Sequence, residues 1–188
     1  MCVFLASNLC LALAQKVTYL LGNYETYFSE ANVVSSQMMV LKKGLSQLVG
    51  KSVTRADCKM GTMLTLDLGP LITVDVETKQ GRQSFLQGEG SLWSLLAEWD
   101  IKESGEVVCD SSQNSTKEIA SFVKGFVDAK LKVWNITEKL DLTLAFDNGY
   151  TLSFSSKGKQ GETLWTMAIR GVGEFIAEHA ELIYKKRK

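Results

Sequence analysis

The sequence predicts an α+β fold: two similar antiparallel β-sheet units, related by internal duplication, with an N-terminal helical segment, a linking helix and a C-terminal helix. Three observations predict it. Met63-Leu64-Thr65-Leu66-Asp67-Leu68-Gly69 returns as Asp141-Leu142-Thr143-Leu144-Ala145-Phe146-Asp147-Asn148-Gly149. An extended apolar run follows each glycine, Leu71-Ile72-Thr73-Val74 in one copy and Thr151-Leu152-Ser153-Phe154 in the other. Both copies then reach the same tripeptide, Lys79-Gln80-Gly81 and Lys159-Gln160-Gly161. Alternating apolar residues ending in turn chemistry describe strands with one face on a core, so the repeat reads as two hairpins on one template.

The elements follow in order. The first 22 residues are apolar, and Ala12-Leu13-Ala14 matches a signal-peptidase site. No Lys or Arg precedes that run, whereas a leader carries a positive n-region. Ser7, Asn8, Gln15 and Lys16 interrupt it too often for a membrane span. A buried helix over 3–21 is therefore expected, with a processed leader as the alternative. Residues 23–28 are aromatic and polar, a turn into a short helix or an exposed loop. Val34, Met38, Leu41, Leu45 and Leu48 fall on one helical face between 31 and 48, weakened by Gly44.

The first β unit spans 49–112. Strands are expected at Ser52 to Lys59, Met63 to Leu68 and Leu71 to Val76, with Pro70 at a turn because it cannot donate to a ladder. Residues 79–90 hold three glycines and read as a loop bearing at most a short strand. Ser91 to Ile101 then forms a strand carrying Trp93 and Trp99 on one face, and Glu106 to Cys109 a last strand after the Ser104-Gly105 turn. Ser111 to Asn114 is the boundary. Ser115-Thr116-Lys117-Glu118 has capping-box spacing and opens the linking helix, to about Phe126. The second unit, within 113–188, repeats the first at an offset of 78, Val53 matching Leu131. Asp147-Asn148-Gly149 supplies its hairpin turn, and Trp165 stands before Gly171 as Trp99 stands before Gly105. A helix from about Gly173 is expected to close the fold. It would carry Val172, Phe175, Ile176, His179 and Ile183 on one face, with Lys185 to Lys188 at the negative end of its dipole.

Composition narrows the function. A chain of 188 residues with zero net charge has no global pull toward nucleic acid or an anionic membrane. The charge is uneven, however. From Asp57 to Asp110 ten acids face four basic residues, leaving −6 there and +6 elsewhere. Such a face steers a basic partner. Four scattered cysteines without a CxxC fit reduced thiols in a cytoplasmic protein. The single histidine, His179, limits histidine-dependent chemistry to one residue. Glu174, Glu178 and Glu181 read as a solvated helix stripe. Gly88-Glu89-Gly90 lacks the third glycine of a dinucleotide loop, and no GxSxG, HExxH or zinc-type spacing occurs. No catalytic, cofactor or metal-binding residues are therefore assigned.

The phrase Trp99-Asp100-Ile101, Gly105-Glu106-Val107-Val108 and Asp110, followed by the helix 117–126, the strand 141–149 and Trp165, resembles small bacterial immunity proteins found beside polymorphic toxins of the contact-dependent inhibition type. The resemblance covers about residues 48–183. It implies a non-catalytic protein that neutralises a cognate toxin domain by binding it. Family interfaces vary between pairs, so no interface residue carries over. From the acidic section and its aromatics, the expected partner-binding residues are Trp93, Glu98, Trp99, Asp100, Glu103, Glu106 and Asp110, facing a basic toxin surface. A second reading is a small-molecule module with an apolar pocket lined by tryptophans, and a third is an enzyme using two carboxylates that converge in a cleft.

Overall fold

A computed structural model describes residues 36–59, 62–78, 81–112, 115–157, 161–179 and 181–186. The helix expected over 3–21, the aromatic stretch 23–28, Lys79-Gln80 and Lys159-Gln160 lie outside them. Among the described residues the protein is mostly antiparallel β-sheet with two helices, which fits the α+β class.

Helix α1 covers residues 36–48 and buries Leu41, Leu45 and Leu48, one apolar stripe at helical spacing. The strands are β1 (Val53–Lys59), β2 (Met63–Leu68), β3 (Ile72–Thr78), β4 (Gly81–Gln87), β5 (Gly90–Ser94), β6 (Trp99–Glu103) and β7 (Glu106–Asp110). Helix α2 (Thr116–Lys124) follows. Then come β8 (Leu131–Ile136), β9 (Leu142–Phe146), β10 (Tyr150–Phe154), β11 (Thr163–Ile169), β12 (Gly173–Glu178) and β13 (Glu181–Lys185). The capping box at α2 forms as its spacing requires: Ser115 accepts from the Glu118 amide at 3.4 Å, and the Glu118 carboxylate accepts from the Ser115 amide at 2.8 Å.

The strands make a six-stranded sheet, β1-β2-β5-β11-β12-β13, a five-stranded sheet, β7-β6-β10-β9-β8, and the separate hairpin β3-β4. The chain changes sheet twice. After β5 it leaves the first sheet to build β6 and β7 in the second; after β10 it leaves the second to build β11 to β13 in the first. Sequence proximity therefore misleads. Trp93 and Trp99, expected on one unbroken strand, lie on β5 and β6 in different sheets, separated by the bend at Leu95-Leu96.

The ladders share one register. Val53 faces Leu68 and, 78 positions on, Leu131 faces Phe146; both ladders shift by a bulge at the next step, Val53/Arg55 and Leu131/Val133. In the next ladders, Leu66 faces Leu92 and Leu144 faces Leu152. At the sheet crossings Trp165 faces Ser94 as Trp99 faces Phe154. The two halves also touch through their entry strands. Gly50 N donates to Leu131 O (2.7 Å) and Asp128 N to Val53 O (2.8 Å); Val53 N donates to Ala129 O (2.8 Å) and Leu131 N to Lys51 O (3.0 Å). Ser52 and Lys130 form the bridge at the centre.

Three expectations are corrected. No helix forms from Gly173: that stretch is the β12-β13 hairpin. The spacing of Phe175, Ile176 and Ile183 imitates a helical face, yet burial alternates, with Gly173, Phe175 and Ala177 inward and Glu174, Ile176 and Glu178 less so. His179 is exposed in the turn, and Glu178 faces Glu181 across the ladder rather than along a helix. Second, β2 and β3 do not pair as a hairpin; β2 lies between β1 and β5, and β3 pairs with β4. Third, the stretch expected to be a loop holds β4, seven residues long. The tripeptides consequently differ in role, Gly81 opening β4 and Gly161 lying in the turn before β11.

The β3-β4 excursion interrupts the first unit where Asp147-Asn148-Gly149 turns tightly in the second. A charged clamp holds its base. Asp67, 3% exposed, accepts from Arg55 Nε (2.7 Å), the Gly88 amide (3.1 Å) and the Ser91 hydroxyl. Arg55 also donates to Leu86 O (2.9 Å), and Arg170 donates to Pro70 O (3.0 Å) and Gln87 O (3.3 Å). Gly88 is required here, since a Cβ would stand 2.7 Å from Leu68 O. At the matching register the second unit has Val133 opposite Ala145. Removing a buried carboxylate that satisfies three donors costs on the order of 3 kcal/mol. Asp67→Ala is thus expected to lower unfolding free energy by about 3 kcal/mol in urea titration, whereas Ala145→Ser should change it by less than about 1 kcal/mol.

Candidate functional site

Strands β6 and β7 form a two-residue-turn hairpin at the end of the five-stranded sheet. Ser104 (φ 53°) and Gly105 (φ 91°) both take the left-handed conformation, the geometry of a type I′ turn. The inward residues Trp99, Ile101 and Cys109 are buried, so the alternate positions, Asp100, Lys102 and Asp110, face away from the core.

That register sets like charges opposite one another twice. Asp100 faces Asp110, and Glu103 faces Glu106. Like charges directly opposite in a ladder are destabilising. Lys102 Nζ approaches Asp100 Oδ1 at 3.7 Å, beyond hydrogen-bond reach, and that oxygen is buried with no hydrogen-bond partner. Asp110 Oδ1 accepts from the Ser112 amide (2.7 Å) and hydroxyl (2.8 Å).

Beside these carboxylates lies an open concavity of about 390 Å³. Glu98, Trp99, Asp100 and Asp110 line it, with Val107, Ser111, Ser112, Ser155 and Lys157. Four of the seven expected partner-binding residues thus meet at one place. Glu103 and Glu106 flank the turn at the other end of the same hairpin, both exposed. Trp93 is remote in topology, half-buried on β5 between Thr65 and Thr166. Trp99 is 3% exposed and donates its indole N–H to Thr62 O at 2.8 Å, so it forms the floor and is not a protruding anchor. Val107, Ser155 and Lys157 were not singled out in the sequence; Ser155 and Lys157 arrive by long-range pairing, for which short-range patterns carry no signal.

The wall bearing Ser155 and Lys157 is fixed by Asp141. Its carboxylate accepts from the Ser156 amide (2.7 Å), the Ser156 hydroxyl (2.8 Å) and the Thr137 hydroxyl (3.2 Å). The Ser156 amide is the main cause that holds this carboxyl below the usual aspartate range, with partial burial opposing it. Ser155 N in turn donates to Glu98 O at 2.8 Å.

The two thiols among the described residues, Cys58 and Cys109, lie nearby and are quiet. Burial first, then the negative charge of Asp110, the Cys58 thiol and Glu118, pushes Cys109 up to about 11. It is therefore protonated at neutral pH and a poor nucleophile. Burial and Asp57 also raise Cys58. A second concavity, about 250 Å³ and more apolar, lies between the base of β3-β4 (Ile72, Val74) and the β11-β12 turn (Arg170, Val172). Among the described residues no group of three or more His, Cys, Asp or Glu is arranged to hold a metal ion, and no helix is long and apolar enough to cross a membrane.

Asp141 gives a pH test. A lowered carboxyl stabilises the fold above its unfolded value, near pH 4, and that contribution is lost as pH falls through the folded value. Stability measured between about pH 5 and 2 should decline less steeply in Asp141→Asn than in the parent chain. Comparison with protein-family models, curated proteins and solved structures finds no match.

Proposed function

We propose that this chain is a non-catalytic binding protein that receives a basic protein surface on the β6-β7 hairpin, and that it acts as a cytoplasmic immunity protein neutralising a cognate toxin domain. The observation that carries the binding reading is electrostatic. Two like-charge pairs, Asp100–Asp110 and Glu103–Glu106, stand opposite each other in one hairpin, with a single lysine between them. Like charges directly opposite in a ladder cost the folded chain stability. A cationic partner relieves it, and steering by such a face raises the association rate. The concavity at Asp100 and Asp110 has room for a lysine or arginine side chain, with Val107 to contact its aliphatic stem.

The same proposal includes internal duplication. The shared registers at an offset of 78, and the reciprocal contacts of 50–53 with 128–131, support two copies of one helix-plus-sheet unit that exchange their last hairpins. The copies differ where binding is proposed: at the positions matching Asp100 and Asp110, the other sheet carries the neutral pair Thr166 and Ile176.

The test is charge reversal. Glu98→Lys, Glu103→Lys and Glu106→Lys together, all at exposed positions, should lower the association rate with a captured partner tenfold or more at low salt. They should also flatten its salt dependence, read by stopped-flow mixing or surface plasmon resonance. Unchanged kinetics and salt slope would remove the acidic hairpin from the mechanism.

A further inference from the structure

The two sheets are unequal at matching edges. In the six-stranded sheet β12 is covered by β13, whereas in the five-stranded sheet β7, the strand in the corresponding position, is terminal and pairs only with β6 among the described residues. The correspondence is fixed by register: Thr166 faces Ile176 and Met167 faces Phe175 in one sheet, as Asp100 faces Asp110 and Ile101 faces Cys109 in the other. The chain thus contains a template for what a strand laid on β7 would be.

In the template, β13 runs antiparallel to β12, with Tyr184 opposite Phe175 and Ile183 opposite Ile176. Tyr184 stacks on Phe175 at 5.0 Å and donates its hydroxyl to Val172 O at 2.8 Å. Transferred to β7, Phe175 becomes Cys109, buried and apolar, and Ile176 becomes Asp110, at the acidic concavity. We infer that β7 is a strand-addition site, taking an extended segment of a partner protein that sets an apolar side chain toward Cys109 and a lysine or arginine opposite Asp110. This rests on the reading that the acidic hairpin receives a protein partner, and it specifies how.

Three features of the edge agree. Val107 is 54% exposed on a strand whose neighbours are acidic, so apolar contact and charge complementarity are offered together. The ladder shifts between Ile101 and Lys102, placing a bulge on β7. A bulge and a glutamate are common defences of an edge strand against indiscriminate pairing. They leave selection to side chains, and Asp110 selects for positive charge. Main-chain bonds would supply the affinity common to strand addition, and alternate side chains its specificity. A second copy of this chain is a poorer occupant: β13 offers Ile183 at the matched position, Arg55 of β1 is held by Asp67, and Lys132 of β8 lies next to Leu131, whose N–H and C=O are already bonded to Lys51 and Gly50.

The probe is a synthetic peptide of residues 181–186 carrying Ile183→Lys, with the unsubstituted peptide as control, titrated into the isotopically labelled full chain and followed by amide shifts and hydrogen exchange. Millimolar peptide is expected to shift amides within 107–112 and slow their exchange, and the control to bind at least tenfold more weakly. Asp110→Asn, which keeps an oxygen for Ser112, should abolish most of the difference between the two peptides while thermal unfolding stays near the parent's. Shifts at the edges β1, β8 or β13 instead, equal binding of both peptides, or no shifts at the solubility limit would overturn strand addition at β7. Charge reversal that still slows capture of a partner, alongside such a negative peptide result, would leave the binding reading standing and remove this mode alone.

Discussion

The crossing of residues 50–53 with 128–131 is the contact on which the rest of the β architecture depends. Four backbone hydrogen bonds arranged reciprocally about Ser52 and Lys130 join the entry of β1 to the entry of β8. Each of those strands is the edge of its own sheet. Without the crossing, both edges would present unpaired backbone groups at their starts, at a cost comparable to lost hydrogen bonds where they are buried. The bulges after Val53 and Leu131 follow from it, since each strand must turn from the crossing into its own ladder within two residues. Asp128 accommodates the geometry at φ 70°, an uncommon conformation for a non-glycine residue but one that aspartate tolerates.

On either side of that crossing a helix end packs onto a strand, with different side chains in each place. Leu48 of α1 lies over Gly90, where a Cβ would come within 2.4 Å of Leu48 Cδ1. After α2, Phe126 meets Tyr150 with ring centres 5.4 Å apart. A small strand residue under a leucine in one place, and an aromatic pair in the other, fill space differently. Interiors tolerate such exchanges when total volume is kept. Because the chain swaps sheets after β5 and after β10, each sheet contains strands from both halves. Neither sheet is complete without strands from both parts of the chain.

Much of the local structure was legible in the sequence, because local signals dominate there. Ser115 and Glu118 announced α2, Asn148-Gly149 announced a tight turn, and the alternation in β2, β9 and β10 announced strands. What was illegible depended on distance. The β12-β13 hairpin was misread because Val172, Phe175, Ile176 and Ile183 satisfy a helical period by coincidence, while the decisive fact, that Ala177 and Phe175 face the same core, exists only once β11 is beside them. The role of Asp67 was hidden for the same reason: its partners Gly88 and Ser91 lie beyond the whole β3-β4 excursion. At the candidate site the acidic residues were read from composition, but their opposition across β6-β7 is a matter of register. Trp93 and Trp99 share a face only on an unbroken strand, and the chain bends between them at Leu95 and Leu96.

The carboxylates fall into two environments, which differ in how far contacts within the chain answer their charge. Asp67 is enclosed by a guanidinium, an amide and a hydroxyl, so its charge is spent within the chain. Asp141 is likewise held by Ser156 and Thr137. Asp100 has the opposite situation: one oxygen is buried without a hydrogen-bond partner, another carboxylate faces it across the ladder, and its lysine stands off at 3.7 Å. A sequence shaped only for stability would replace Asp100 by a neutral residue, as the matching Thr166 illustrates. The opposition of Asp100 and Asp110, with Lys102 standing 3.7 Å from Asp100, is the feature to which the proposed cationic partner corresponds.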